Sequence, residues 1–521
     1  MQTVSDAWIK NQQNNIITTE GLVDVTLTVT DPDAQGAASA TDSGHISIAD
    51  TAVTIQKMDY TPPRYATLET DLWALDGTYT ILSDESPGVN GYIGNIFSGA
   101  DGSFSPAPII TIALSQTFSS TLPGITITWG EAYESEYASD FTVTAWNGTS
   151  EVASKTITGN TDMTSVIAMD IQDYNKLAIT VNKWCKPDRR ARIQSILLGV
   201  AQRYDRYDLL SYQHSMSADP LSATLPKSEI VFEINNYDHL YDLDNPAGMN
   251  KYLMERQAVT IRYGYRLGGV IEWIKGGTFY LSEWSTPRNT LSATFTARDL
   301  LEFMNDKYTG TSSGSLYAIA ISALTQANLP KTLTGDNRWL LDDALKSIMA
   351  PSEVDLSDYT IAEVLQLVAN AGCCVLYQDR EGVLQIKPLS LEDTQYCIAS
   401  DWGFGYPETS LSKQLKQVSI NGLIFSSVDN GTGETQEIKN PLISSERASE
   451  VAEWTQTVLT NRRLVNGEWR ADPRVDCLDS LTVEFPFSTP NSQLKTLLTE
   501  TSLTYNGGFT GKYAGRMWDT L

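Results

Sequence analysis

Histidine is nearly absent: His45, His214 and His239 are the three in 521 residues. Imidazole is the usual near-neutral base and a common metal ligand, so its scarcity argues against most hydrolases. Positive charge is also scarce, with 37 Lys and Arg against 63 Asp and Glu and a formal net charge of −26. Phosphate backbones need cationic side chains as counter-charge, so sequence-specific nucleic-acid binding is disfavoured. No segment approaches the ~18 apolar residues of a membrane helix, and the opening MQTVSDAWIKNQQNN lacks the apolar stretch of a signal peptide. The chain is expected to be made in a cytoplasm. Its five cysteines, Cys185, Cys373, Cys374, Cys397 and Cys477, form no CxxC pair and read as reduced, mostly buried thiols. GxSxG, HExxH, Walker and GxGxxG loops are all missing. Carboxylate pairs are abundant, but a two-carboxylate glycosidase site is a matter of separation in space, which sequence does not supply. The expectation is a protein that is not an enzyme, with no catalytic residue, no cofactor and no resident metal.

What is present is a normal globular composition, 41% hydrophobic and 19% charged, enough for three or four domains at ~150 residues each. The acidity is uneven: residues 1–180 hold 22 Asp and Glu against 5 Lys and Arg, a net of −17 of the total −26. Such self-repulsion keeps a surface soluble and says little about fold. Oxygen-rich stretches there, Asp31 to Asp33 and Glu131, Glu134, Glu136, lack the regular spacing of a calcium loop. The denser cluster Asp238, Asp242, Asp244 and Asn245, in NNYDHLYDLDNP, lacks the mid-loop Gly and final Glu of an EF-hand and reads as an ordered loop with Asx turns. Cations gather at Lys183, Lys186, Arg189, Arg190 and Arg192, either a solvated strand end or a patch facing an acidic neighbour.

Up to about residue 200 the pattern is short alternating runs with no useful helical period, which is β-rich territory. Leu22–Val29, Ile109–Leu114, Ile125–Trp129, Phe141–Trp146 and Leu177–Val181 suit a β-sandwich, and residues 61–199 fit an acidic jelly-roll-like module after a β region at 1–60. At the level of pattern this module resembles the galactose-binding-like sandwiches; Tyr133, Tyr137 and Trp146 could stack on a sugar, although a Trp on an inward strand position is more often core. From 200 to 308 strands continue at Glu229–Ile234, Val259–Tyr265, Thr278–Trp284 and Leu291–Thr296, as in a small barrel. Between 309 and 405 the period becomes helical. Leu316, Ile319, Ala320, Ala323 and Leu324 share a face, and Thr360 with Glu363 is a capping box before Ile361, Val364, Leu365 and Val368. A hairpin follows, turning at Asp379–Gly382. Residues 406–521 return to strands with an inserted helix near Glu446–Thr460.

Three stretches carry a family resemblance: YATLETDLWALDG from Tyr65; FEINNYDHLYDLDNPAGMNKYLMERQAVTIRYG from Phe232 with GTFYLSEWSTPRNTLSATFTARDLL from Gly277; and Arg447 to Thr482, ending in WRADPRVDCLDSLTV. In order, they resemble the tail-tip or baseplate hub proteins of phages that infect Gram-positive bacteria. The resemblance implies two hub-type β-barrels joined by α+β pieces; with the N-terminal β-sandwich read above, the expected fold is mainly β with an α+β middle. It also implies a homotrimer around a DNA channel at the distal end of the virion tail. The implied partners are distal tail, tail-tube and tape measure proteins; the alternative reading is a receptor-binding tail protein that recognises host cell-wall glycan through the N-terminal sandwich. The resemblance carries over no catalytic residues. Interface positions are read at Trp469, Arg470, Asp472 and Pro473, and at Tyr241 and Asn245, each of which is equally readable as a turn inside one domain. A hub of this kind often continues into a lysin region, and the short stretch after Tyr505 puts wall degradation in doubt.

Overall fold

The computed structural model describes residues 1–14, 16–30, 32–42, 69, 91–119, 121–129, 136–242, 244–245, 253, 256–268, 270–287, 290–327, 329, 332–333, 336–352, 354–391, 393–427, 433–485 and 493–518. Tyr65–Gly77 lies outside them except for Glu69, and so do Glu131, Tyr133 and Glu134. The chain divides into two compact units, Thr26–Arg203 and a discontinuous one made of Met1–Val25 with Tyr204–Leu521. No helix among the described residues is long and apolar enough to cross a membrane.

In Thr26–Arg203 a five-stranded sheet runs Ala38–Asp42, Ile109–Phe118, Tyr174–Trp184, Ala138–Asn147, Ser150–Ile157, and a three-stranded one runs Ser195–Leu197, Leu122–Thr128, Thr164–Ile171. Alternation with period two puts Ile110, Ile112, Phe141, Val143, Leu177 and Ile179 of the first sheet into one core with Ile125, Ile127 and Ile167 of the second. Trp129 fills its centre, edge-on to Phe141 at 4.9 Å and to Trp184 at 6.0 Å.

The other unit is built on one large sheet. Its order includes Gly21–Thr30, Ala258–Leu267, Val270–Ser285, Ser292–Arg298, Lys227–Asn235, Leu209–Ser217, Gln493–Tyr505, Phe509–Met517, Arg463–Trp469 and Glu408–Leu411. The mainly β reading with an α+β middle stands, but the two expected barrels are not separate closed bodies. Strand Leu209–Ser217 pairs with Lys227–Asn235 on one side and with Gln493–Tyr505 on the other, so main-chain hydrogen bonds that would close each barrel on itself instead join the two regions. No closed barrel is present among the described residues. Gly276-Gly277 forms a bulge: Ile261 pairs with Gly277 and Arg262 with Lys275, and Gly277 takes φ +140°.

The helical middle forms as its periodicity predicts. Leu316–Gln326 is capped by Ser315 and buries Leu316, Ile319, Ala320, Ala323 and Leu324, while Ile361–Ala371 carries the Thr360–Glu363 capping box. Ala448–Leu459 supplies the third helix of this region. Their apolar faces share a core with Leu376, Leu384 and Ile386 of the hairpin Cys374–Gln378 and Leu384–Pro388. The all-strand reading of the first 200 residues needs correction: Asp6–Gln13 is a helix, capped by Ser5, with Trp8 fully buried against Tyr265 at 4.9 Å. One buried ring and two buried amides are too few to give the helix an apolar stripe that sequence can show. The cysteines are free; Cys374 is buried and the other four are half-buried, a more exposed set than expected. Burial pushes the Cys373 and Cys374 thiols up to about 11 and about 12, which keeps both protonated.

Candidate functional site

Period-two alternation gives the central strands of the large sheet one apolar and one polar face. Tyr212 and His214 point inward and are buried, while Gln213, Ser215 and Ser217 line the opposite side. Register then lays rows across five strands. Glu229, Ser215, Ser502, Lys512 and Glu468 form one row; Lys227, Ser217, Glu500, Ala514 and Asn466 form the next. The result is a trough of about 900 Å³ with a floor of small hydroxyls and charged walls. On one wall Arg298 Nε donates to Glu229 at 2.8 Å, with Glu283 at 3.4 Å and Glu302 at 3.5 Å from the same guanidinium; on the other, Lys512 meets Glu468 at 2.7 Å. Lys512 is matched one to one, whereas Arg298 faces three carboxylates, so the trough is a polar contact face with an acidic excess.

Asp299 lies at the trough's edge and is buried. Its carboxylate accepts from Ser228 N at 2.7 Å and from Leu301 N at 3.1 Å, capping the turn Leu300–Phe303. Desolvation outweighs these bonds and pushes its pKa up to about 7. Because the folded value lies above the ordinary one of 3.8, this carboxyl's contribution to stability is full below pH ~3.8 and is lost as pH rises to about 7. Asp299→Asn is expected to remove about 2–3 kcal/mol of the stability difference between pH 5 and pH 7. Urea unfolding at the two pH values reads this directly, and an unchanged pH slope would refute the assignment.

Behind the floor, His214 Nδ1 meets Tyr263 Oη at 2.9 Å, Tyr263 meets Tyr212 at 2.6 Å, and His214 Nε2 meets Ser228 Oγ at 3.1 Å. Burial, helped by the nearby Arg380 cation, lowers the His214 pKa to about 3. The ring is thus neutral at ordinary pH and a feeble base; the network positions side chains. Its sign is opposite to that of Asp299: His214 contributes stability above pH ~6.5 that is lost as pH falls toward 3.

The residues read from sequence as interface positions serve contacts within the chain. Trp469 is buried with its ring 6.3 Å from Tyr396 and 6.1 Å from Tyr513. Arg470 donates to the Gln12 carbonyl at 2.6 Å and lies over Trp402 at 4.9 Å. Asp472 holds Arg474 through two Nε contacts of 2.9 and 3.1 Å. The Pro473 carbonyl accepts from Arg380 at 2.5 Å. Tyr241 is buried with its hydroxyl on that of Tyr204, and Asn245 Nδ2 donates to the His239 carbonyl at 2.9 Å. The structure brings Trp469, Arg470, Asp472 and Pro473 together in one stretch, and leaves Tyr241 and Asn245 in the 236–245 loop. There the predicted Asx turns form, with Asn235 Oδ1 on Tyr237 N at 3.0 Å and Asp238 Oδ1 on Leu240 N at 3.3 Å. Of the candidate sugar contacts, Tyr137 packs against the unit's core and Trp146 is half-buried under Lys176 Nζ, 5.0 Å from its centroid.

Two functionally placed residues carry no clear signal in the sequence. Arg380, at the hairpin turn, is a buried cation, and nothing but its presence in a polar turn could have flagged it. Glu136, grouped with possible calcium oxygens, is fully buried and binds arginines instead: Arg189 Nε at 3.0 Å, Lys186 Nζ at 3.5 Å, Arg192 Nη1 at 3.6 Å, and Trp184 Nε1 at 3.1 Å. Arg192 also pairs with Glu69, whose carboxylate accepts from Arg190 N at 2.6 Å, and the Arg190 guanidinium covers Phe97 at 4.3 Å. Arg189 and Arg192 are therefore wired into their own unit, while the Lys186 side chain stays 41% exposed at the edge of the same cluster. Among the described residues no group of three or more His, Cys, Asp or Glu is placed to hold a metal ion.

No protein-family model matches the sequence, and no curated protein matches it. Solved structures similar to it include the 43 kDa tail protein of prophage MuSo2 from Shewanella oneidensis, 13% identical over 60% of this chain and 93% of that one, with a TM-score of 0.41. A tail protein from Neisseria meningitidis is 9% identical over 61% of this chain and 93% of that one, with a TM-score of 0.43. A prophage tail protein from Listeria monocytogenes is 13% identical over 60% of this chain and 91% of that one, with a TM-score of 0.36. At such distances no residue's role passes from one chain to another; these three structural neighbours are tail proteins.

Proposed function

We propose that this chain is a structural protein of a phage tail tip, a hub that assembles as a homotrimer around the DNA channel and joins the tail tube to host-recognition components. The observation that carries this reading is the sheet shared by its two β regions. Tyr212 to Ser217 pair with Tyr505 to Glu500, and through that seam the two more specific stretches of the hub resemblance, 232–301 and 447–482, become parts of one body. A scaffold of this kind needs rigid surfaces more than a reactive centre, and the neutral, enclosed His214 and the ion-paired walls of the trough suit it. We read the chain as non-enzymatic on the same grounds. Distal tail, tail-tube and tape measure proteins are the neighbours this role would require.

The reading is tested by the solution mass of the purified chain, measured alone and with its neighbouring tail proteins, followed by negative-stain imaging. A species of about three times the 57.4 kDa chain mass, with a central opening, is the expected result. A chain that stays monomeric even with its neighbours present would sink the hub. On the channel face carboxylates should outnumber Lys and Arg, since like charge keeps DNA from sticking; a basic lumen would refute that part.

A further inference from the structure

We propose that the end of the large sheet where Leu209–Ser217 begins is a docking surface for a different protein, one that presents apolar side chains ringed by lysine and arginine. This holds whether or not the chain is a tail hub. Three segments converge there. Asn235 N donates to the Asp208 carbonyl at 2.9 Å and Asn236 N to the Leu291 carbonyl at 2.7 Å, which ties the turn before Leu209, the loop after Lys227–Asn235 and the start of Ser292–Arg298 into one surface. Each contributes large apolar side chains that face solvent: Tyr207 is 75% exposed, Tyr237 73%, Leu210 53%, Leu291 50% and Leu240 36%. Hydrogen bonds through Asn236 to Tyr241 N at 3.1 Å and to Asp242 at 2.8 Å hold the loop's backbone, so the exposed rings stand on a fixed base.

Single exposed leucines are ordinary, but five large side chains at one sheet end are not. Together they present roughly 600 Å², at the top of the range for patches on free-standing proteins and near the ~800 Å² that each partner gives a standard interface. The rim is acidic, with Asp205, Asp208, Asp238, Asp242 and Asp244 on the same turns. Arg206 lies over the Tyr207 ring at 4.5 Å and shares Glu20 with Arg266, which offsets one of these negative charges and leaves the aspartates in excess. An apolar centre with a predominantly acidic rim is the anatomy of a recognition surface, and the excess of aspartates selects a cationic partner. A second copy of this chain fits poorly at this surface, because in its most cationic stretch, 183–192, Arg189 and Arg192 are already engaged by Glu136 and Glu69.

The test uses the full chain and the variant Tyr207→Ser/Tyr237→Ser/Leu291→Ser, whose three sites are at least half exposed and whose fold is checked by circular dichroism. Two synthetic peptides with identical Phe and Leu content, one flanked by Lys and one by Glu, are titrated by fluorescence anisotropy. The expected result is at least tenfold tighter binding of the Lys-flanked peptide, and at least a tenfold loss in the triple variant, which leaves the overall negative charge untouched. Equal affinity for the two peptides, or binding that the triple variant does not weaken, overturns the proposal. Self-association of the full chain that the triple variant abolishes, read by sedimentation, would assign the surface to a second copy and also overturn it.

Discussion

Replacing Arg380 by alanine should lower the unfolding free energy of the larger unit by about 3–5 kcal/mol, the usual consequence of removing one partner from a buried charge network. The arginine projects from the hairpin turn of the α+β region. Its Nε donates to Asp476 at 2.9 Å, its Nη1 to the carbonyls of Lys275 at 3.1 Å and Pro473 at 2.5 Å, and its Nη2 to the Val475 carbonyl at 2.8 Å. One side chain thus satisfies three main-chain acceptors and one carboxylate drawn from two separate parts of the sheet. Alanine would leave all four without this donor, and water would have to enter to compensate. Arg380→Lys keeps the charge but not the planar fork, so it should fall between wild type and alanine. Denaturant unfolding of the three proteins measures the order; an alanine variant within about 1 kcal/mol of wild type would mean that the hairpin is anchored elsewhere.

An effect of similar size is expected in Thr26–Arg203 from Glu136→Ala. Glu136 is fully enclosed, and its loss would leave Arg189 and Arg192, with side chains 11% and 3% exposed, facing each other with Glu69 as the remaining nearby anion for Arg192. Uncompensated cations in such a setting cost about 3–5 kcal/mol. For a unit of this size that lowers the melting temperature by roughly 6–20 °C. Glu136→Gln retains an acceptor for Trp184 Nε1 but no charge, so most of the loss should persist. Calorimetry distinguishes this from a global effect, because the transition of the larger unit should stay in place. If both transitions moved together, or neither did, the network would not be a support local to its own unit.

How far the sequence revealed this molecule depends on whether a feature was local. The Thr360–Glu363 capping box, the apolar face of Leu316 to Leu324 and the hairpin turn at Asp379–Gly382 are set by residues within a few positions of one another, and each formed where predicted. The Asx turns of 235–240 belong to the same class. Pairing between remote strands is different: nothing in Leu209–Ser217 announces that Gln493–Tyr505 will lie beside it, so two barrels were expected where one sheet exists. The candidate site suffered most. Trp469 and Asp472 read equally as interface positions or as a turn inside one domain, and their burial depends on Tyr396 and Tyr513 around the indole and on Arg474 beside the carboxylate, of which only Arg474 is near in sequence. Arg189 and Arg192 looked exposed because their counter-charges, Glu136 and Glu69, lie far away in sequence.

The seam between early and late strands also has a temporal meaning. The Tyr505 hydroxyl donates to the Gly21 carbonyl across 484 residues of sequence. At a synthesis rate of ~5–20 residues per second, the N-terminal segment waits roughly half a minute to a minute and a half before that partner exists. Thr26–Arg203 is complete much earlier and can close while the rest is still being made. Trp8 has no Tyr265 to pack on until Ala258–Leu267 is made, and the sheet that Leu22, Val23 and Val25 join is not complete until Gln493–Tyr505 arrives, so the N-terminal apolar residues stay exposed on the growing chain after the acidic unit has closed.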